Sequence, residues 1–390
     1  MNRQNRTGGP GPAAAVVRKL ALFGLAVMVM ASTGCAFLGF SPEDQTTDDL
    51  RQLDASVWNR RAIAYSGYRT GQSRADETYP SEAQILEDLN LLVAEGFGLI
   101  RLYDASTHAE RTLNMIDTNN LDLKVMLGAY VSGSDAAYHS SNYAEMDAAI
   151  ALANQYSDIV VAVSVGNEVL VDWSFVAVPA SDMAAYVRYV RNRVSQPVTV
   201  NDNFEPYAMG SGYNTEQVWR EVDFAAVHTY PYWDSGYDLW PWRQESVAEN
   251  QRAQAMMDAA LDYAQANFQQ VRDALDEAGI DIPIVIGETG WQSTAGAAIS
   301  SARYLGHPVN QAMYYEAMRE WVYGANGNDR GDGFARPANI FYFEAFDEPW
   351  KGSDDHWGLW DVSRTEKYVL SGTGYADSDA VYYDPPETAS

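Results

Sequence analysis

The sequence predicts a single-domain α/β protein built as a (β/α)8 TIM barrel. Eight short apolar segments alternate with amphipathic ones, and a helical pattern follows each of the first seven. Apolar strands separated by helices form parallel sheets that the helices cover, and eight such units close a barrel. A doubly wound open sheet is the alternative. It usually carries a glycine-rich phosphate-binding turn after its first strand, and no G-x-G-x-x-G motif follows the first strand here.

Each predicted strand is an apolar run of the length that a buried strand needs. In chain order the strands are predicted over residues 62–65, 98–102, 124–129, 159–165, 198–200, 224–228, 282–286 and 340–346. Helix start signals support the segments between them. Ser81 and Gln84 have the spacing of a capping box, and Thr107 and Glu110 repeat it for the next helix. Later helices are predicted over 143–156, 182–194, 215–222, 247–278 and 309–322.

The formal net charge is −27. This charge repels nucleic acid and anionic lipid surfaces, so we expect no nucleic-acid partner and favour a neutral or cationic ligand. Aromatic residues make up 12% of the chain. Their rings can stack on sugar faces or fill a large core.

The first 34 residues predict a signal peptide of lipoprotein type. Arg18 and Lys19 precede an apolar stretch over 20–31, and Ser32-Thr33-Gly34-Cys35 follows. A basic region, about a dozen apolar residues and a small-residue cleavage zone form an export signal. The stretch is too short for a membrane-spanning helix.

The segment before Cys35 resembles the lipobox of bacterial lipoproteins, although Ser32 stands where leucine is usual. The resemblance implies lipidation of Cys35, and Ala36 after it resembles outer-membrane sorting in Gram-negative bacteria. An ordinary secretory signal is the alternative. Residues 35–56 are predicted to be an acidic tether, 57–370 the barrel domain and 371–390 a flexible tail.

Two glutamates follow predicted strands four and seven. Glu168 ends Val165-Gly166-Asn167-Glu168, and Glu288 lies in Ile286-Gly287-Glu288-Thr289-Gly290-Trp291. The carboxyl ends of barrel strands share the rim where active sites lie, and two carboxylates flanking a glycosidic bond can cleave it. We therefore expect Glu168 and Glu288 to be a catalytic pair, the alternative being solvent-facing carboxylates at helix starts. The histidines lack paired metal spacing, so neither a metal nor a cofactor is expected.

Several motifs together resemble glycoside hydrolase family 17, the β-1,3-glucanase family within a clan of retaining barrel enzymes. The resemblance spans most of residues 60–365. It is carried by Tyr65-Ser66-Gly67-Tyr68-Arg69, Arg101-Leu102-Tyr103-Asp104, Val165-Gly166-Asn167-Glu168, His228-Thr229-Tyr230-Pro231, Gly287-Glu288-Thr289-Gly290-Trp291, Phe346-Asp347-Glu348-Pro349-Trp350-Lys351 and His356-Trp357-Gly358-Leu359.

The resemblance implies a role for each matching residue. Glu168 matches the acid/base, Glu288 the nucleophile, Asn167 a residue that binds the sugar 2-hydroxyl, and Tyr230 one that steadies the nucleophile. A further family glutamate before the Gly-Leu pair has only Asp355 as its nearest match. The expected substrate-binding side chains are Tyr65, Arg69, Tyr103, Asp104, Asn167, Tyr230, Trp291, Phe346, Glu348 and Lys351. Core packing for Trp291, a surface ion pair for Lys351 and a simple Arg101–Asp104 pair are the alternatives.

The resulting hypothesis is an exported, lipid-anchored, monomeric glycosidase that cleaves β-1,3-glucan with retention. The sequence leaves two alternative functions open. One is a glucosyltransferase with the same catalytic residues, and the other is a lipoprotein that binds glucan without cleaving it.

Overall fold

A computed structural model describes residues 50–133, 136–208, 213–294, 305–324 and 335–375. Eight parallel strands close a barrel in chain order, each paired with its neighbours and the first with the last. This confirms the predicted (β/α)8 barrel. The strands are β1 Arg61–Ala64, β2 Phe97–Arg101, β3 Lys124–Ala129, β4 Val160–Asn167, β5 Val198–Asn203, β6 Ala225–His228, β7 Ile284–Thr289 and β8 Ile340–Tyr342.

Helices follow each of the first seven strands, as predicted. In chain order they are α1 Ala55–Trp58, α2 Glu82–Ala94, α3 Thr107–Thr118, α4 Ala136–Gln155, α5 Ala180–Arg191, α6 Phe204–Tyr207, α7 Glu216–Trp219, α8 Pro231–Asp234, α9 Arg252–Glu277, α10 Pro308–Tyr323 and α11 Tyr368–Ser371. Within the described residues, no helix is both long and apolar enough to cross a membrane. The predicted signal stretch lies outside them.

Strand and helix ends differ from prediction where local chemistry decides them. β7 starts two residues later than the apolar run because Pro283 has no N–H to give to the ladder. Ser81 forms the expected capping box with Gln84. The N-cap of α3 is Ser106 and not Thr107, because the Ser106 hydroxyl accepts the His108 backbone N–H. β8 ends at Tyr342 and is shorter than predicted. Beyond it, the Ala345 backbone N–H donates to the Ala64 carbonyl outside the regular pairing of β1 with β8.

The barrel interior is a packed core at its amino-terminal end. Inward-facing apolar residues of several strands form one cluster there, which Trp58 of α1 closes from below. The Trp58 ring meets Phe224 edge-on at 5.1 Å and Phe341 at 6.0 Å between ring centroids. This apolar cluster closes the amino-terminal end of the barrel, and barrel active sites lie at the opposite, carboxyl end.

The ordered contacts of the domain begin before residue 57. The Arg51 backbone N–H donates to Asp223 at 3.0 Å, and its guanidinium donates to the Arg191 carbonyl at 2.6 Å. Residues 50–56, predicted as part of the tether, therefore pack against the barrel. The predicted lipidation site Cys35 and residues 376–390 of the predicted tail lie outside the described residues.

Candidate active site

Glu168 sits in a tight turn at the end of β4. Its φ is +49° and that of Gly166 is +80°, both in the left-handed region. Glycine takes this conformation freely, whereas a glutamate there is held by its surroundings. The Glu168 backbone N–H donates to the Asn201 carbonyl at 3.0 Å, which ties the turn to β5.

Glu288 lies inside β7 and faces the same space. One oxygen of Glu168, one oxygen of Glu288 and one nitrogen of His228 lie within 4.8 Å of one another. Glu288 is buried, whereas a quarter of the Glu168 side chain is exposed. Two acidic side chains 120 positions apart (288 minus 168) in the chain therefore meet at one point on the barrel rim.

The surroundings of Glu288 favour its ionised form. Burial alone would raise the pKa of Glu288, but His228, the Arg101 guanidinium and the Tyr230 hydroxyl outweigh this and hold it below its usual value. Arg101 donates to Oε1 at 2.6 Å and Tyr230 to Oε2 at 2.7 Å. The Tyr103 hydroxyl lies near the same carboxylate and also lowers the pKa, although its geometry falls short of a good hydrogen bond.

His228 lies between the two carboxylates and is fully buried. Its Nδ1 is 3.0 Å from Glu168 Oε1 and 3.7 Å from Glu288 Oε2, and its Nε2 is 3.4 Å from Arg101 Nη1. The two hydrogens of Arg101 Nη1 are donated to Glu288 and to the Gly287 carbonyl. A hydrogen on His228 Nδ1, which the imidazolium and one neutral tautomer both carry, is within reach of Glu168.

Asp202, at the end of β5, holds the chain that follows Glu168. Its Oδ2 accepts the backbone N–H groups of Val169 at 2.9 Å and Leu170 at 2.8 Å. Burial raises the pKa of Asp202 to about 8, and the Glu168 carboxylate adds to the rise against the opposing N–H donors. Asp202 thus fixes the turn that aims the Glu168 side chain.

A second group of charges follows β8. Lys351 Nζ donates to both oxygens of Glu344, at 2.7 and 2.8 Å, and also pairs with Glu348. Glu348 accepts further hydrogen bonds from the Ser66 hydroxyl and, at 3.0 Å, from the Trp350 indole. Burial and the neighbouring Glu348 raise the pKa of Glu344 well above its usual value, despite Lys351. Lys351 is therefore part of a buried polar group and not of an exposed surface ion pair.

Five predicted binding residues surround the glutamates or belong to the group after β8. Tyr103 and Tyr230 face Glu288, and Asn167 accepts a hydrogen bond from Arg101. Glu348 and Lys351 belong to the group after β8. Asp104 does not pair with Arg101, so that interpretation is wrong. Its carboxylate binds Arg74 at 2.7 Å, because Arg101 points into the barrel.

The other four predicted binding residues have partners away from the glutamate pair. Tyr65 is buried and donates to Asp88 at 3.2 Å, and Arg69 pairs with the same Asp88 at 2.9 Å. Trp291 is fully buried, and its indole donates to the Leu305 carbonyl at 2.9 Å. Phe346 is buried against Trp360, at 5.3 Å between ring centroids. Tyr65, Trp291 and Phe346 are buried, whereas the Arg69 side chain is 21% exposed.

Two residues at the site were not assigned to it from the sequence. Arg101 and His228 contact the glutamates directly, whereas the sequence predicts only an ion pair with Asp104 for Arg101 and no metal site for the histidines. A signal was available, since Arg101 ends β2 and His228 ends β6. Both positions belong to the rim on which the glutamates were placed.

The residues fit a carboxylate pair better than a metal centre. Glu168, His228 and Glu288 could each offer one ligand atom to a cation. However, the Arg101 guanidinium lies 2.6 Å from Glu288 and 3.4 Å from His228. A divalent cation bound there would be repelled by this fixed positive charge.

A parallel barrel with two adjacent carboxylates in different surroundings, one buried and ionised and one partly exposed, has the arrangement of a glycosidase. Comparison with known proteins agrees. Residues 62–359 match the BtgE/BtgC glycoside hydrolase domain, and the chain belongs to this family.

Proteins of similar sequence occur in fungi. The chain is 24% identical to a glucan 1,3-beta-glucosidase of Arthroderma benhamiae, over 77% of this chain and 89% of that protein. It is 27% identical to a glucan 1,3-beta-glucosidase of Schizosaccharomyces pombe, over 78% of this chain and 85% of that protein. A probable glucan endo-1,3-beta-glucosidase btgC of Aspergillus clavatus is 25% identical over 75% of this chain, which spans only 39% of that protein.

Solved structures share the fold. An endo-laminarinase from Formosa Hel1_33_131 is similar with a TM-score of 0.71 and 29% identity, covering 80% of this chain and 86% of that one. A glycoside hydrolase family 17 beta-1,3-glucanosyltransferase from Rhizomucor miehei aligns with a TM-score of 0.55, covering 80% of this chain and 97% of that one. Its identity of 22% supports likeness of fold alone.

Proposed function

We propose that this glycosidase hydrolyses β-1,3-glucan with retention of the anomeric configuration, as a family 17 enzyme. The observation that carries the proposal is the approach of Glu168 and Glu288 oxygens to within 4.8 Å. Retaining glycosidases hold their two carboxyl groups about 5 to 5.5 Å apart, whereas inverting enzymes leave about 6.5 to 9.5 Å for a water molecule.

In the first step, Glu168 gives its proton to the glycosidic oxygen while Glu288 attacks the anomeric carbon. The bond to the leaving sugar breaks, and an ester between Glu288 and the glucosyl unit forms. The depressed pKa of Glu288 supports its role as the ionised nucleophile. The His228 Nδ1–H binds Glu168 Oε1, which leaves Oε2 to carry the transferred proton.

In the second step, the Glu168 carboxylate removes a proton from water. The water oxygen attacks the anomeric carbon, and the Glu288 carboxylate leaves. A sugar hydroxyl can take the place of water, and the product is then a longer glucan. Transfer is thus the alternative outcome of the same intermediate.

The substrate class is supported by chemistry and by relatives. A neutral sugar polymer is compatible with the net charge of −27. The similar proteins from fungi are named for glucan 1,3-linkages, and the most similar of the structures described is a laminarinase. The buried group of Glu344, Glu348 and Lys351 offers charged partners to sugar hydroxyls.

The test is to follow laminaripentaose by proton NMR and by product chromatography. We expect the β-anomer to appear first, and Glu288→Gln to abolish turnover while sugar binding persists. Glu316→Gln on the exposed face of α10 is the matched control. Initial release of the α-anomer would refute retention, and products longer than the substrate would assign transfer. Binding by the wild type without turnover would leave only the glucan-binding alternative.

Attachment to the cell envelope through a lipid on Cys35 is proposed from the sequence alone. Metabolic labelling with a radioactive fatty acid should mark the wild-type protein and not Cys35→Ala. Equal labelling of both would overturn the lipid anchor without bearing on the enzyme.

A further inference from the structure

The chain directly after Glu168 forms a loop with exposed aromatic side chains at its tip. Residues 169–178 leave β4 and return, and the Val178 N–H donates to the Val169 carbonyl at 2.7 Å to close the stem. Trp173 is 55% exposed and Phe175 is fully exposed. Among the described residues, Trp173 and Trp350, which is 53% exposed, are the two exposed tryptophans.

A cavity lies beside the stem of this loop. Its volume is about 540 Å³. It is lined by Val169, Leu170 and Asp172 on the loop and by Tyr213, Asn214 and Gln217 on the facing segment. Amide and carboxylate groups beside an aromatic ring can satisfy the hydroxyls and the apolar face of a sugar.

The cavity is fixed next to the proposed proton donor. Val169 and Leu170 line it, and their backbone N–H groups bind Asp202, which also neighbours Glu168. The Asp172 backbone N–H lies 3.5 Å from the Tyr213 hydroxyl, so the facing segment is in contact with the loop. Loop, cavity and Glu168 therefore belong to one anchored unit.

The reaction decides which part of a glucan chain this unit faces. Glu168 must reach the glycosidic oxygen, which belongs to the leaving sugar once the bond has broken. The leaving sugar therefore lies on the Glu168 side of the bond, and the sugar that stays on Glu288 lies on the other.

We propose that the loop 169–178 and its cavity bind the leaving-group portion of the glucan, with Trp173 as a stacking platform for a β-linked glucosyl unit. The proposal rests on the proposed function. The same site holds the acceptor sugar when a glucan hydroxyl replaces water, because the second step reverses the geometry of the first.

The experiment compares two substrates that differ in the leaving group. Laminaripentaose has sugars on the leaving side, whereas β-laminaribiosyl fluoride releases only fluoride. For Trp173→Ala we expect kcat/KM on laminaripentaose to fall about tenfold and that on the fluoride to stay unchanged. Trp173→Phe should retain most of the activity on laminaripentaose. Val93→Ala, an exposed apolar position at the far end of α2, is the control.

Three results would overturn the inference. Equal activity of Trp173→Ala and wild type on laminaripentaose would exclude the platform. An equal loss on both substrates would assign Trp173 to a different role. A wild type that is inactive on laminaripentaose but cleaves the fluoride would refute the proposed substrate, and this inference with it. Asn214→Ala tests the cavity separately, and an unchanged value for that variant would remove the cavity from the site.

Discussion

Arg101, the last residue of β2, donates a 2.6 Å hydrogen bond to Glu288 on β7, two strands that are not neighbours in the barrel. The guanidinium is buried and reaches across the barrel to the Gly287 carbonyl as well, at 3.0 Å. A buried carboxylate would normally hold its proton. This contact helps Glu288 to stay ionised although its side chain is buried.

Replacing Arg101 should move the acid limb of activity to higher pH. Turnover needs ionised Glu288, which is present above its pKa and lost as pH falls through it. Arg101→Met removes a contact that lowers this pKa, so activity should be lost at a higher pH than in the wild type. The measurement is the pH profile of kcat/KM, with Arg188→Met at an exposed ion pair as control. An unchanged acid limb would contradict the role of Arg101.

The barrel and the glutamate pair could be predicted because each depends on short stretches of sequence. An apolar run such as residues 159–165 predicts a buried strand wherever it lies. Glu168 and Glu288 follow such runs, and the topology of a barrel brings all strand ends together.

The roles of aromatic and cationic side chains could not be predicted in this way. Trp291 and Tyr65 pack in the apolar core, where the Leu305 carbonyl accepts the indole N–H and Asp88 accepts the tyrosine hydroxyl. These partners lie 14 and 23 residues away, in segments whose placement only the closed barrel fixes. The role of Arg101 could not be predicted for the same reason. Asp104, three residues along the chain, was a plausible partner, whereas the actual partner Glu288 is distant in sequence.

Removing the Asp202 carboxylate should lower kcat more than it raises KM. Asp202→Ala frees the buried N–H groups of Val169, Leu170 and Asn203, and Glu168 then loses its fixed position. A misplacement of about 1 Å can cost about 100-fold in rate. Steady-state kinetics on laminaripentaose are the measurement, and Asp117→Ala on the exposed end of α3 is the control. A change in KM alone would contradict the positioning role.

The ionisation of Asp202 should also make the free energy of unfolding depend on pH. Its pKa of about 8 lies above the value near 3.9 of an unfolded chain, so the folded protein holds a proton that the unfolded chain loses between these values. The stability of the wild type relative to Asp202→Asn should therefore fall as pH rises through this window, by at most about 1.4 kcal/mol per pH unit. Urea unfolding at several pH values measures the difference. A difference that is constant with pH would show that Asp202 does not titrate in this way.

Lys351→Met should destabilise the fold strongly. The substitution leaves Glu344 and Glu348 buried without their cation, and breaking a buried ion pair costs about 3 to 5 kcal/mol. The pKa of Glu348, which burial would raise, is held low by Lys351. This stabilisation is present above the unfolded pKa and lost as pH falls through the folded pKa, so the effect of the mutation should shrink in acid. Lys124→Met is the control, and a loss below 1 kcal/mol would show that the pair is not effectively buried.

Glu168→Ala should affect substrates according to the leaving group. Its general-acid role contributes about 100- to 10,000-fold, so kcat/KM on laminaripentaose should fall by that amount. β-Laminaribiosyl fluoride needs little proton donation, so its first step should be nearly unchanged. On the fluoride, azide should restore the turnover of Glu168→Ala, because the small anion replaces the attacking water in the second step. The product should be a β-glycosyl azide. Equal losses on both substrates would assign Glu168 a different function.

The most direct test of the carboxylate pair is to trap the covalent intermediate. An activated 2-deoxy-2-fluoro-β-laminaribioside should react with the enzyme and stop at the ester, and mass spectrometry of the peptides should locate the sugar on Glu288. Attachment to Glu168, or rapid turnover to the α-anomer with no attached sugar, would contradict the assignment of Glu288 as the nucleophile and Glu168 as the acid/base.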